Sequence, residues 1–177
     1  SVTITQPAAV TAAAAAEQAK CFGESSGKIT VTGGGGTAPY QYKIGTGALQ
    51  SSNAFNNLAA GSYNVIVRDA NGCETSQSVT VTQPLQIAGT ITAVNPDASN
   101  RFSGTLKVDG ANGTAPYQYS LNGGAFQSGG DFSNTYIIGQ NTLTVKDANG
   151  CLVTVNKLIE LVVTDDTWKL FTRLYPN

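Results

Sequence analysis

Histidine and methionine are absent from this chain, and charge is scarce. Without an imidazole, the commonest general base and the commonest zinc ligand are missing. No serine stands in a nucleophile elbow. Paired carboxylates occur only as Asp165-Asp166, whose side chains are too close along the chain to face one cleft. The sequence therefore predicts a non-enzyme, with no catalytic residue, no cofactor and no metal site. Charged residues make up 12% of the chain and the net charge is −1, which leaves no basic face to neutralise phosphates. Nucleic acid is excluded as a partner. No run reaches the ~18 apolar residues of a membrane span, and no secretory leader is visible. A hydrophobic content of 41% excludes a disordered tract.

What the chain does have is repetition. Ser1-Val-Thr-Ile-Thr-Gln-Pro7 returns as Ser78-Val-Thr-Val-Thr-Gln-Pro84, and Thr37-Ala-Pro-Tyr-Gln-Tyr42 returns as Thr114-Ala-Pro-Tyr-Gln-Tyr119, each 77 residues on. Val67-Arg-Asp-Ala-Asn-Gly-Cys73 returns as Val145-Lys-Asp-Ala-Asn-Gly-Cys151, 78 residues on. Arrays of like modules build length or display surfaces more often than they carry one-off chemistry. The heptapeptide 1–7 matches the close of a unit, which predicts a processed or partial chain with at least one more repeat before it.

The periodicity within each unit is that of strands. Lys28-Ile-Thr-Val-Thr32, Thr105-Leu-Lys-Val-Asp109, Tyr63-Asn-Val-Ile-Val-Arg68 and Thr142-Leu-Thr-Val-Lys146 alternate or are rich in β-formers. Asn71-Gly72 and Asn149-Gly150 mark hairpin turns, because both residue types accept positive φ. Residues 8–20 are alanine-rich and read as helix by propensity. Laid on its counterpart in the second unit, however, this segment falls on Ile87-Ala-Gly-Thr-Ile-Thr, which reads as strand, and tertiary context overrides weak propensity. About seven short strands per unit predict an all-β chain of two tandem immunoglobulin-like antiparallel β-sandwich modules. The expected division is 1–7 as the end of a preceding repeat or a donor-like strand, 8–84 as repeat one, 85–163 as a divergent repeat two, and 164–177 as a linker or tail. Tyr63, just after a turn and opening a late strand, resembles a tyrosine corner. Asn141 stands in its place in the second unit, so no such corner is expected there. Residues 157–163 read as a separate final strand.

Cys21-Phe-Gly-Glu-Ser-Ser-Gly27, Gly35-Gly-Thr-Ala-Pro-Tyr-Gln-Tyr42, Leu58-Ala-Ala-Gly-Ser-Tyr-Asn-Val65, Asp69-Ala-Asn-Gly-Cys73 and Gln83-Pro84 together resemble the SprB-type repeat of large surface adhesins in gliding bacteria. The likeness spans the first unit and is weaker over the second. Leu174-Tyr-Pro-Asn177 is similar to the opening of C-terminal sorting domains of type IX secretion. The resemblance implies export, display at the cell surface and a role in adhesion or filament building. It also implies a disulfide between Cys21 and Cys73, which occupy the repeat's paired positions. Closing a loop of that length contributes about 4 kcal/mol in the chain-entropy model. Cys151 then has no partner within the chain, because Ala98 stands where the second unit would carry the match of Cys21. It reads either as a small buried apolar residue or as a thiol reactive toward another chain.

Three further groups invite a chemical reading. Asp69 with Asn71, and Asp147 with Asn149, look like fragments of a calcium loop, but they offer too few oxygens and read as turn chemistry. Gly33-Gly-Gly-Gly36 lacks the Gly-Lys-Ser/Thr ending of a phosphate loop and reads as a strand connection. Tyr40, Tyr42, Tyr117 and Tyr119 alternate along strands and suit core packing, the sharper alternative being a carbohydrate platform. Trp168, Phe171 and Tyr175 read as tail residues packing on a neighbour. The expected function is a structural or adhesive module of a secreted, extracellular bacterial surface protein, forming a stalk, fibre or filament. Its expected partners are other copies or neighbouring repeats, joined by strand addition through residues 1–7, and surface polysaccharide. The alternative is a carbohydrate-binding or passive spacer module on a secreted protein.

Overall fold

A computed structural model describes residues 6–97, 99–100 and 103–162. Among these residues the chain is all-β, with antiparallel sheets and no helix. It divides into two compact units, Ser1–Pro84 and Leu85–Asn177.

Unit 1 contains β1 (Thr11–Glu17), β2 (Gly27–Gly34), β3 (Gln41–Ile44), β4 (Ala54–Leu58), β5 (Gly61–Arg68) and β6 (Glu74–Val81). One sheet has the order β1-β2-β4 and the other β3-β5-β6. Side chains alternate across a strand, so β2 turns Ile29 and Val31 inward while β5 turns Val65 and Val67 inward. These four and Val81 form a closed cluster that joins the two sheets as a sandwich. Burying each such side chain contributes roughly 1.5–3 kcal/mol. The alanine-rich segment is a strand, as the repeat predicts. It pairs with β2 without interruption from Thr11↔Gly34 to Glu17↔Lys28, and Ala12 and Ala14 pack on the core. Seven residues of ladder and that packing outweigh a propensity worth a few tenths of a kcal/mol per residue.

Unit 2 contains β7 (Ala88–Val94), β8 (Thr105–Ala111), β9 (Gln118–Leu121), β10 (Gly139–Lys146) and β11 (Leu152–Ile159). Its sheets are β7-β8 and β9-β10-β11. Leu106, Val108, Phe132, Leu143, Val145 and Ile159 are buried. The described strands number six and five, fewer than the seven per unit expected. Residues 157–159 are not a separate strand: they continue β11, which pairs with β10 from Lys146↔Leu152 through Gly139↔Ile159.

The units diverge at β4. Thr30↔Ala54 in unit 1 corresponds to the lone bridge Lys107↔Asp131 in unit 2. Val31 N–H donates to Asn53 O, and Val108 N–H donates to Gly130 O, both at 2.9 Å. Beyond this point unit 1 continues as strand to Leu58. In unit 2 the chain turns instead, with Thr135 and Tyr136 N–H both bonded to Phe132 O. Asp131 holds the turn by accepting Ser133 N–H (3.0 Å) and Ser133 Oγ–H (2.6 Å), and it pairs with Lys107 at 3.1 Å.

Candidate functional site

The most strongly determined local structure is the hairpin turn between β5 and β6, and the same turn recurs between β10 and β11. Asp69 is only 5% exposed. Its Oδ1 accepts the N–H groups of Asn71 (3.0 Å) and Cys73 (2.8 Å), and its Oδ2 accepts Thr37 N–H (3.0 Å). Asn71 Nδ2 donates to Thr37 Oγ1 at 2.9 Å. Asp147 repeats the pattern with Asn149 (2.9 Å), Cys151 (2.9 Å) and Thr114 (3.0 Å). Burial pushes the Asp69 carboxyl up, but the backbone N–H groups of Thr37, Cys73, Asn71 and Gly72 outweigh it and the net displacement is downward. These carboxylates clip two loops of their own unit together. Their oxygens are committed to N–H donors, which is turn chemistry.

The glycine run serves this clip. Gly36 has φ +54° and a Cβ there would sit 2.6 Å from Asp69 Oδ2; Gly113 repeats it with φ +60° and 2.7 Å to Asp147 Oδ2. Gly33 and Gly110 lie beneath the rings of Tyr40 and Tyr117, whose hydroxyls donate to Gly35 O and Asn112 O. Ala38-Pro39 and Ala115-Pro116 are cis. Tyr40 and Tyr42 pack against the core cluster. The tyrosines of the two repeated motifs are therefore half-buried structural residues, not an open aromatic platform.

Tyr63 forms the corner that the sequence suggests, donating its hydroxyl to Ala59 O at 2.9 Å. In unit 2 Asn141 is fully buried and ties the chain at the same offset. Its Oδ1 accepts Ile137 N–H at 3.0 Å, and its Nδ2 donates to Ile137 O at 2.7 Å and Gly139 O at 3.1 Å. The amide replaces the phenol from inside the fold. An Asn at a strand start carries no pattern that announces this.

The cysteines require a correction. Cys73 is a free, exposed thiol, so the expected Cys21–Cys73 bridge is not formed. The reason lies within unit 1. Ala19 N–H bonds Thr82 O (2.9 Å) and Gly23 N–H bonds Gln83 Oε1 (2.8 Å), which puts Cys21 beyond the end of β6. Cys73 immediately precedes the start of β6. Eight strand residues separate the two positions, roughly 25 Å at about 3.3 Å per residue. A disulfide needs Cα atoms within about 7 Å. Cys21 and Cys151 are each in the disulfide form. Cys151 is buried as expected, but it is not the unpartnered cysteine; Cys73 is.

In each unit the clip borders an open depression. The one in unit 1, about 470 Å³, is lined by Pro39, Tyr40, Gln41, Ser51, Arg68 and the Asp69 turn. The one in unit 2, about 600 Å³, is lined by Pro116, Tyr117, Gln118, Ser128, Lys146 and the Asp147 turn. Each residue lining the first has its counterpart in the second, with Arg68 replaced by Lys146, and Asn149 joins the lining in unit 2 alone. No motif marks Gln41, Ser51 or Arg68 as functional, although the repeat keeps Gln41 and Ser51 as Gln118 and Ser128 and keeps the cation of Arg68 as Lys146.

This framework of β1, β2 and the β2–β3 connection is where a known family enters. Residues 13–49 match the SprB repeat. The match covers most of β1, all of β2 and β3, and the glycine-rich connection between them. SprB repeats are structural repeats of cell-surface adhesins and not an enzyme family, so the match supports a surface adhesin-like module. No curated protein matches the chain. Trp168, Phe171, Tyr175 and the 174–177 motif, as well as residues 1–5, lie outside the described residues.

Proposed function

We propose that this chain is a structural and adhesive segment of a secreted bacterial surface protein, with its units acting as repeated modules of a stalk, fibre or filament. The observation that carries this reading is the recurrence of one build. The Asp clip, the tyrosine-on-glycine contact, the cis-proline turn and the hairpin return in both units, and the SprB match falls on the first. Recurrent modules suit load-bearing display. Export through type IX secretion and a part in gliding follow from the resemblance of residues 174–177 and of the repeat.

Residues 1–7 are proposed to complete a neighbouring sheet by strand addition. β1 and β4 end one sheet of unit 1, and β6 ends the other on the side away from β3; such edges are where added strands pair. Electron microscopy of the purified chain, with and without residues 1–7, tests both ideas. Fibres that disappear on truncation support strand addition. Equal fibres from both chains rule out residues 1–7 as the donor. Compact single particles from both overturn self-assembly and leave the stalk.

A further inference from the structure

We infer that the depression beside each Asp clip is a binding site for an acidic polysaccharide. This rests on the surface-adhesive reading above and adds a ligand class and an address to it. The walls of the depression are accounted for by the fold: the proline and tyrosine shape the connection, and the Asp turn closes it. Three side chains in each lining are not. Gln41, Ser51 and Arg68 in unit 1, and Gln118, Ser128 and Lys146 in unit 2, make no side-chain hydrogen bond or ion pair among the described residues. By contrast Lys28, Lys43 and Lys107 each have a carboxylate partner. Arg68 lies along the turn, 3.2 Å from where a Gly72 Cβ would stand. Lys146 Nζ sits 4.2 Å over the Phe126 ring, a contact that holds the ammonium in place without neutralising it.

The same amide, hydroxyl and cation thus recur around the same hollow, in two units that differ over β4 and at the corner. A cation receives a carboxylate or sulfate on a sugar, the amide and hydroxyl bond ring hydroxyls, and the exposed proline and half-buried tyrosine offer carbon faces to a pyranose. An acidic peptide bound by strand addition is disfavoured, because that mode needs a free strand edge. The outward backbone groups of β3 are spent: Tyr42 exchanges both bonds with Gln50, and Ile44 O accepts Gly47 N–H. Those of β9 are spent likewise on Gln127 and Gly124.

The test is a titration of the isotopically labelled chain, followed by amide and side-chain shifts, with oligogalacturonate, a neutral cello-oligosaccharide of equal length, and an acidic peptide. Oligogalacturonate is expected to move the signals of Gln41, Ser51 and Arg68 and of their unit 2 counterparts, more weakly as salt rises. The double variant Arg68→Gln, Lys146→Gln, with an unchanged circular dichroism spectrum, is expected to bind roughly tenfold more weakly. No shifts at these residues, equal binding of the neutral sugar, tighter binding of the peptide, or undiminished binding by the variant would each overturn the site. The surface reading fails separately, if antibody finds the protein only inside cells whatever the purified chain binds.

Discussion

Unit 1 and unit 2 solve one structural problem twice with different chemistry. Where the chain turns into β5, a phenol hydroxyl reaches back four residues to Ala59 O. Where it turns into β10, a buried amide takes both the N–H and the C=O of the residue four back. The first tie leaves its side chain half-buried; the second puts it entirely inside. What is invariant between the units is the place that must be tied, and not the residue that ties it. The Asp clip is the opposite case, since both units use the same residue with the same three donors.

That contrast ranks the mutations. Asp147→Ala removes the acceptor of three backbone N–H groups in a buried turn and is expected to cost about 3 kcal/mol or more. The change should be read as lost hydrogen-exchange protection at Leu143 and Val145. Asp69→Ala acts in the same direction on Val65 and Val67. If either substitution left protection intact, the clip would not be the common element of the two units. Asn141→Ala is expected to cost about 2 kcal/mol and Tyr63→Phe about 1 kcal/mol, because only the first strips a fully buried group. Chemical denaturation of the two variants decides the order, and a larger loss for Tyr63→Phe would reverse the reading of the corner.

Acid should separate the units more gently. Hydrogen bonds from Ser133, with Lys107 alongside, lower the Asp131 carboxyl to about 2. A carboxyl depressed on folding stabilises above its unfolded value, near 3.8, and loses that contribution as pH falls toward about 2. Unit 2 should therefore lose its 131–133 turn in this window, seen as chemical-shift changes at Ser133. Ala54 holds the matching place in unit 1 and has nothing to titrate. The pair is exposed, so the effect on melting is small and fades with salt. Smallest of all is the effect of capping Cys73. Alkylation without reductant should add one label, at Cys73, without changing the melt; labels on Cys21 or Cys151 would contradict the cysteine states described.

Much of this fold is readable in the sequence, because repetition supplies a second copy to compare. The alanine segment reads correctly as strand only because its counterpart is β-rich. The hairpins are written in Asn-Gly, and Tyr63 announces its corner. Other features are hidden for physical reasons. β4 contains Asn56 and Asn57, the latter at φ 58°, so it has no strand pattern and is held by its pairing with β2. The role of Asn141 depends on burial, which a polar residue does not advertise. The cysteine pairing implied by the resemblance fails because positions matched to a family do not show which end of a strand each residue occupies. The candidate depression is assembled from three separate loops and strands, and its unspent side chains become visible only once every partnered one is accounted for.

The central proposal is that this chain is an adhesin-like module displayed at a cell surface. Antibody raised against residues 6–162 and applied to intact, unpermeabilised cells that make the protein tests it most directly. The account predicts labelling of the intact surface that is lost after brief external protease. Labelling only after permeabilisation, unaffected by external protease, would contradict it.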